Sequence, residues 1–560
     1  MSVWKQIVFA VFFPLTALCQ STYLPEGSRE EWIAERLQIK NQSFSPHIFT
    51  TAKPYQRDKV LLDIHYSDSI YKKTNGSSTF YTNSDRYNLR VLQSNNIECS
   101  GLRMDSFRSR KVYVNHVYQT RSNFYEYRSD DLFLTVNPLL YFRGGKENNR
   151  MTFMNSRGIA VRGLLSKRLG FYSTVTDNQE RVPYFVQKLI TQNEAVLGVG
   201  FYKNYKEDTA TFDYFDARGY ICFNVMKGMD AQFGYDKNFI GNGYRSLFLS
   251  DWGNSALFLK LNTRVWKFNY QNLFMELMPQ FKKKGDNLLG RKYAAMHHLS
   301  INVKNWLNVG LFEGIIFGRK DHFDYQYMNP IIFYRHIEGS VGSPDNAVAG
   351  LDFKVNLKQR IQLYGQFLMD EFIISRIRRQ PTNWANKFGF QLGGKYVDAF
   401  GVKNLDLQVE ANRVRPFTYS HSDSIANYTH YNQPLAHPLG ANFQEIIGIV
   451  RYQPAPKWTV DSRIIYFEKG LDSTNSNFGG NIFKNYSTRS GENGFKIASG
   501  VASSCLNATL DVSYEAKYNL FIDAGVQYRT FKLATLNEAT KDLNYYLALR
   551  LNFSKRKYDF

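Results

Sequence analysis

The stretch YICFNVMKGMDAQFGYD, Tyr220 to Asp236, decides how the chain is built. Ile221, Phe223 and Val225 occupy every second position, and after a Lys-Gly turn the pattern resumes with Ala231, Phe233 and Tyr235. The positions between them hold Cys222, Asn224, Gln232, Gly234 and Asp236. Successive strand side chains point to opposite faces, so the stretch reads as a hairpin with one apolar and one polar face. LSINVKNWLNVGLF repeats the design, with Leu299, Ile301 and Val303 facing Leu307, Val309 and Leu311 across a Lys304-Asn305 turn. LDLQVEAN alternates Leu405, Leu407, Val409 and Ala411 with Asp406, Gln408, Glu410 and Asn412. NLFIDAGVQYR sets Leu520, Ile522, Ala524, Val526 and Tyr528 against Asp523, Gly525, Gln527 and Arg529.

Soluble sandwiches alternate too, but three features favour a membrane barrel. The segments run about ten residues, enough to cross a bilayer at a tilt. Turns are either short, as at Leu357 to Arg360 and Gln453 to Lys457, or long and polar, as at Phe372 to Lys387, Arg413 to Phe443 and Phe467 to Phe495. The polar face is heavily charged, which suits a wet lumen. Leu351, Phe353 and Val355 are expected in lipid with Asp352, Lys354 and Asn356 in the lumen, followed by Leu363, Phe367 and Met369 outside and Tyr364, Gln366 and Asp370 inside. A Lys or Arg on the lipid side near the midplane would cost about 2 to 4 kcal/mol, which keeps the register strict. Counting segments from Leu132 to Phe553 gives roughly 16 to 20 strands, an even number being expected. The final run places Tyr545, Leu547, Leu549, Leu551 and Phe553 outward and closes on Phe560, an aromatic end of the kind that barrel-assembly machinery reads.

Composition agrees. Of 560 residues 16% are aromatic, yet mean hydropathy is −0.41, so apolar residues are diluted among polar ones. Lys and Arg number 70 against 49 Asp and Glu, a net +21 that suits an anionic partner. No basic block or zinc-finger or RNA-binding signature accompanies that charge, so nucleic acid is not the expected partner. MSVWKQIVFAVFFPLTALCQS reads as a secretory signal peptide over residues 1–19, cleaved near Cys19/Gln20, with lipidation of Cys19 disfavoured by Leu18. Cys99, Cys222 and Cys505 then remain, too scattered for a disulfide framework or a metal site. From Gln20 on, no apolar run is long enough for a spanning helix, which leaves export to the outer membrane as a closed barrel or a free soluble form.

Residues 20–130 read as a plug or periplasmic segment, or as a source of extra strands. SREEWIAERL suggests a short helix with Ser28 and Glu31 as a capping box. KVLLDIHY and RKVYVNHVYQ look strand-like, with a turn punctuated by Asn75-Gly76 between them.

NPIIFYR (Asn329 to Arg335), DNAVAGLDFKV (Asp345 to Val355) and LYGQFLMDEF (Leu363 to Phe372) together resemble the Wzi-like capsule-assembly family. FGYDKNFIGNGYRSLFLSD (Phe233 to Asp251) resembles that family's preceding strand and loop. NSRGIAVRGLLSKRLGFYSTVTDNQ (Asn155 to Gln179) and FLTVNPLLYF (Phe133 to Phe142) look closer to its RemB-type branch, associated with surface gliding. The resemblance implies an all-β, 18-stranded antiparallel transmembrane barrel over 131–560, closed by internal and periplasmic elements. It also implies a non-enzymatic lectin that holds surface polysaccharide. The chain departs from the capsule-assembly members before the barrel, where only one helix is convincing and no helical bundle is read.

Two residue sets are candidates. Arg335, Glu338, Asp345, Asp352, Gln366, Asp370 and Glu371 are expected along the lumen, as a salt-bridged network or as sugar ligands or pore gates. Trp384 beside Arg378 and Arg379, with Tyr419, His421, Tyr428, His430, Tyr431 and His437, supplies side chains that stack on sugars and bond their hydroxyls. The histidine spacings of nine and seven match no zinc pattern, so no metal or other cofactor is expected. Neither GxSxG, P-loop nor HExxH occurs, and adjacent Asp370 and Glu371 point to opposite faces, so catalysis has little support. The leading expectation is a polysaccharide-anchoring outer-membrane barrel in contact with lipid and lipopolysaccharide; the competitor is a porin-like channel.

Overall fold

A computed structural model describes residues 21–560, apart from 76–80, 101–106, 110–111, 167, 206–207, 284–287, 332, 343–344, 372–373 and 537. The signal-peptide reading and Gly76 therefore lie outside the described residues. Eighteen long antiparallel strands, from Leu132–Glu147 to Thr540–Leu551, close into a barrel. Closure is made by the last strand on the first, with Leu549 opposite Phe142. Two short segments, Tyr125–Arg128 and Lys203–Tyr205, pair alongside Leu132–Glu147 and Asp208–Met226.

The period of two sets the register. Ile221 sits opposite Phe233 and Phe223 opposite Ala231, while Cys222 faces Gln232 on the other side. Ile221, Phe233, Leu351, Leu363, Val409, Ile522 and Leu547 are exposed on the outer belt. Asp352, Lys354, Asn356, Gln366, Glu410 and Asp523 are buried inside. Strands are linked by tight turns at one end and by loops of up to 29 residues (318–345, 415–442, 472–500) at the other, the asymmetry of outer-membrane barrels.

The tight-turn end is closed by three helices, α1 (Arg29–Asn41), α2 (Arg57–Asn75) and α3 (Asn83–Asn95). Leu24, Ile33, Leu37, Ile48, Val60, Leu61, Ile64 and Leu92 form their shared core. This corrects the strand-like reading of KVLLDIHY: Val60, Leu61 and Ile64 also fit one helical face, and a short apolar run does not separate the two periods. It corrects the missing bundle as well. Ser28 precedes α1 but its side chain makes no cap bond; the capping box lies instead at α3, where Asp85 N donates to Thr82 Oγ1 at 3.0 Å and Thr82 N to Asp85 Oδ2 at 3.0 Å. Of the RKVYVNHVYQ stretch, the described residues 112–119 are loop with isolated bridges rather than strand. Arg36 of α1 joins Asp85, Asp398 and Asp406, fixing the bundle to a barrel turn.

The last strand ends at Leu551, and the chain then turns into the lumen. Phe553 packs on Tyr141 at 5.6 Å and not on lipid, because Asn552 adopts a positive φ of 51° and redirects the backbone. Phe560 is buried against Trp252 and against Phe185 of α4 (Tyr184–Asn193), and Arg245 and Arg463 both pair with Asp559. In the folded chain this aromatic end is an interior residue. A cavity of 690 Å³ separates the tail from α1 and the wall, lined by charged side chains such as Glu31, Arg218, Arg451 and Asp511.

The loop 318–345 departs from the expected lumen path. It folds down over the outer wall, carrying α5 (Tyr334–Val341), so Tyr327, Tyr334 and Ile337 pack on Phe274, Tyr293, Ala295, Ile315 and Phe317. Arg335, Glu338 and Asp345 are thus outside the barrel: Arg335 pairs with Glu338 at 2.7 Å, and Asp345 binds Arg319 and Tyr327.

Candidate functional site

The long-loop end is where the barrel meets the outside, and its loops fill it. The segment 237–255 dips into the lumen, and the wall's polar residues bond its backbone. Gln366 Oε1 accepts from Leu247 N at 2.8 Å, and Glu410 accepts from Tyr244 N at 2.6 Å and Arg245 N at 3.0 Å. Asp352 Oδ2 lies 2.7 Å from His298 Nε2, and Asp370 Oδ2 accepts from Tyr419 N at 2.7 Å. Asp352, Gln366 and Asp370 therefore do line the lumen, Gln366 and Asp370 as holders of inward-folded loops and Asp352 as a partner of the wall residue His298. Glu371 pairs through its backbone with Lys387 at the strand end, and its side chain lies outside the described residues.

The loop 415–442 seals this layer. Tyr419 and Tyr428 are fully buried, their hydroxyls donating to the carbonyls of Leu247 and Phe248, each at 2.7 Å. His430 Nδ1 accepts from Met278 N at 3.0 Å, so its proton sits on Nε2 and is donated to Ser255 O at 3.0 Å. Burial, more than any neighbour, pushes this imidazole down to about 4. His437 donates from Nε2 to Glu445 at 2.7 Å and is likewise held low by burial. These four residues, expected to meet sugar, are instead interior locks, because their rings are covered on all sides. Ile240, Leu247, Phe248, Leu435, Leu439 and Ile482 join wall residues such as Phe258, Met296, Phe312 and Leu368 in one apolar core. That core occupies the outer half of the lumen.

Three loops rise above it and bring aromatic and cationic groups together. Trp384, from the loop before Lys387–Tyr396, lies 4.8 Å from Tyr486 by ring centroid. Arg489 sits 4.1 Å over the indole, and Lys387 Nζ is 4.0 Å from the Tyr486 ring. Trp384 Nε1 donates to Glu492 Oε2 at 2.8 Å, and His421 stands edge-on to Tyr486 at 5.8 Å. The Arg489 guanidinium and the indole donor hold the exposed Glu492 carboxyl below the usual carboxylate range. Arg378 and Arg379 are exposed on the short helix Ile374–Arg379 of the same loop. Tyr431 lies apart, half-buried and edge-on to Phe281 at 4.8 Å. Sequence reasoning singled out Trp384 and His421 but missed Tyr486, Arg489 and Glu492. The signal for them was the aromatic and two ion-pairing residues inside the long polar loop after Phe467. The Trp384–Tyr486 pair with the partly exposed Arg489 offers stacking to a pyranose ring and charge-assisted bonds to an acidic sugar, while Lys387 is buried beside it.

Comparison with known proteins bears on this arrangement. No curated protein sequence matches the chain. Among solved structures, Escherichia coli Wzi, described as an outer membrane protein involved in group 1 capsule assembly and a carbohydrate binding β-barrel, superposes with a TM-score of 0.58. It is 13% identical, and the alignment covers 95% of this chain and 100% of that one, a likeness of fold. Pseudomonas aeruginosa OprD is more distant, at a TM-score of 0.41 and 12% identity over 74% of this chain and 94% of its own. The family model for capsule assembly protein Wzi matches residues 146–544, most of the barrel. The chain belongs to the Wzi capsule assembly family.

Proposed function

We propose that this protein is a non-enzymatic outer-membrane barrel that binds acidic surface polysaccharide and keeps it on the cell. The observation that carries the reading is the Trp384–Tyr486–Arg489 cluster, backed by the buried Lys387 and His421, standing on a lumen filled by apolar loop residues. Arg378 and Arg379 are proposed as further contacts for carboxylate groups and Tyr431 as a peripheral one. Family membership supports capsule assembly as the setting, and the name of the Escherichia coli relative supports a carbohydrate ligand. The blocks resembling the RemB-type branch extend the proposal to surface gliding, in which the held polymer is the substratum contact. Lipopolysaccharide surrounds the barrel in this reading, and barrel-assembly machinery inserts it after removal of residues 1–19.

The test compares cell-bound with shed polysaccharide in a strain lacking the chain, complemented by the intact gene or by Trp384→Ala and Arg489→Ala. Normal polymer synthesis with shedding, restored by the intact gene and not by the variants, is the expected result. An unchanged ratio overturns anchoring. Steady single-channel conductance by the purified protein in a planar bilayer would replace the reading with a channel.

A further inference from the structure

Four neighbouring strands carry their outward residues in paired rows. Tyr270, Leu299, Leu311 and Leu351 form one row; Asn272, His297, Glu313 and Ala349 form the next row toward the outside. Leu311 and Leu351 are exposed and belong to the lipid belt. The second row therefore places an amide, an imidazole and a carboxylate on the lipid side of the wall, where uncovered polar groups are costly. Yet Asn272 is 3% and His297 6% exposed, because the loop 318–345 lies over them.

The fit of that loop is built, residue by residue. Glu313 Oε1 accepts from Arg335 N at 3.2 Å at the start of α5, a helix whose own N-cap, Phe333, supplies no side-chain bond. The His297 ring lies 4.0 Å from the Tyr334 ring. Tyr270 Oη donates to Pro330 O at 2.5 Å, which ties the strap to the row that continues into Leu311 and Leu351. Arg319, Tyr327 and Asp345 tie its two ends together. The side turned away from the wall leaves Tyr325 at 79%, Ile331 at 84% and Phe333 at 76% exposed. An open groove runs between Tyr325, Met328, Pro330 and Ile337.

We propose that this strap is embedded in the outer leaflet and that its exposed apolar side is a lipid-binding surface for acyl chains. Continuity with the barrel's own belt selects this occupant: Ile331 and Phe333 follow Pro330, which is bonded to Tyr270 in the row that contains the belt residues Leu311 and Leu351. The Arg335–Glu338 pair leaves no net charge on the helix face from these two groups. The polar row is then an anchor for an intramembrane helix. This inference stands independently of the polysaccharide reading.

The test places tryptophan at the strap and at a solvent-exposed outer loop, as Phe333→Trp and Ser487→Trp. Each full-length purified variant is reconstituted in phosphatidylcholine vesicles with plain or chain-brominated lipid. The added emission, variant minus wild type, is expected to fall at least threefold in brominated vesicles for Phe333→Trp and to stay unchanged for Ser487→Trp. Emission from position 333 that brominated chains leave unquenched overturns the proposal. A photo-crosslinking residue at Ile331 in cells gives the second readout: lipid adducts support the proposal, and a dominant protein adduct overturns it in favour of a protein partner.

Discussion

Glu410→Ala should release the inward loop while leaving the barrel closed. The Glu410 side chain is fully buried and accepts from Tyr244 N, Arg245 N, Tyr364 Oη at 2.8 Å and Asn412 Nδ2 at 2.9 Å. Truncation leaves two backbone donors without their acceptor, and each buried unsatisfied group costs roughly 1 to 3 kcal/mol. Water from the adjoining cavity, whose lining includes Gly243 and Tyr244, offsets part of that cost. A net loss of about 3 kcal/mol is expected, equivalent to about a hundredfold rise in loop opening. Hydrogen exchange read on peptides covering 239–250 should quicken by that factor, with strand peptides such as 405–409 unchanged. Glu410→Gln keeps one carbonyl acceptor and should lose about tenfold. Unchanged exchange of 239–250 in Glu410→Ala would refute the view that lumen carboxylates exist to hold loop backbone.

Arg36→Ala should loosen the helical bundle, since breaking a buried ion-paired cluster costs roughly 3 to 5 kcal/mol; limited proteolysis from the tight-turn side should cut within residues 21–100 much faster. Leu351→Arg puts a cation on the lipid belt and should destabilise the barrel by about 2 to 4 kcal/mol in vesicle unfolding titrations, whereas Leu351→Phe should be neutral. His430 is held neutral in the fold, near 4, so the unfolded chain binds the extra proton between about pH 6.5 and 4. Its stability contribution is present above about pH 6.5 and is lost as pH falls toward 4, by up to roughly 3 kcal/mol, and His430→Asn should flatten that part of the stability profile.

The barrel was legible because lipid on one side and water on the other force a strict period of two, as Ile221 opposite Phe233 illustrates. What the polar face does was not legible. Gln366 and Glu410 look like pore lining in sequence, but their partners are backbone amides of a loop over a hundred residues away, which no pattern encodes. The same holds for Tyr419 and Tyr428, whose aromatic loop reads as a sugar platform until their hydroxyls are found bonding interior carbonyls. The outer-wall strap did leave a trace: His297 and Glu313 break the alternation at positions meant for lipid. That violation marks a covered face, and it was visible in the run LNVGLFEGIIF, where one carboxylate interrupts the apolar side.

One small feature joins the two sides of the molecule. Ala52 and Lys53, from the chain between α1 and α2, pair antiparallel with Ile240 and Phe239 of the loop that dips in from outside. Thr51 O also accepts from Gly241 N at 2.8 Å, and Lys53 meets Glu35 of α1 at 2.5 Å. The two plugs therefore touch through main-chain bonds near the middle of the lumen. A pull on the outer loops would therefore be shared between the wall, through Gln366 and Glu410, and the helices on the far side, through this ladder.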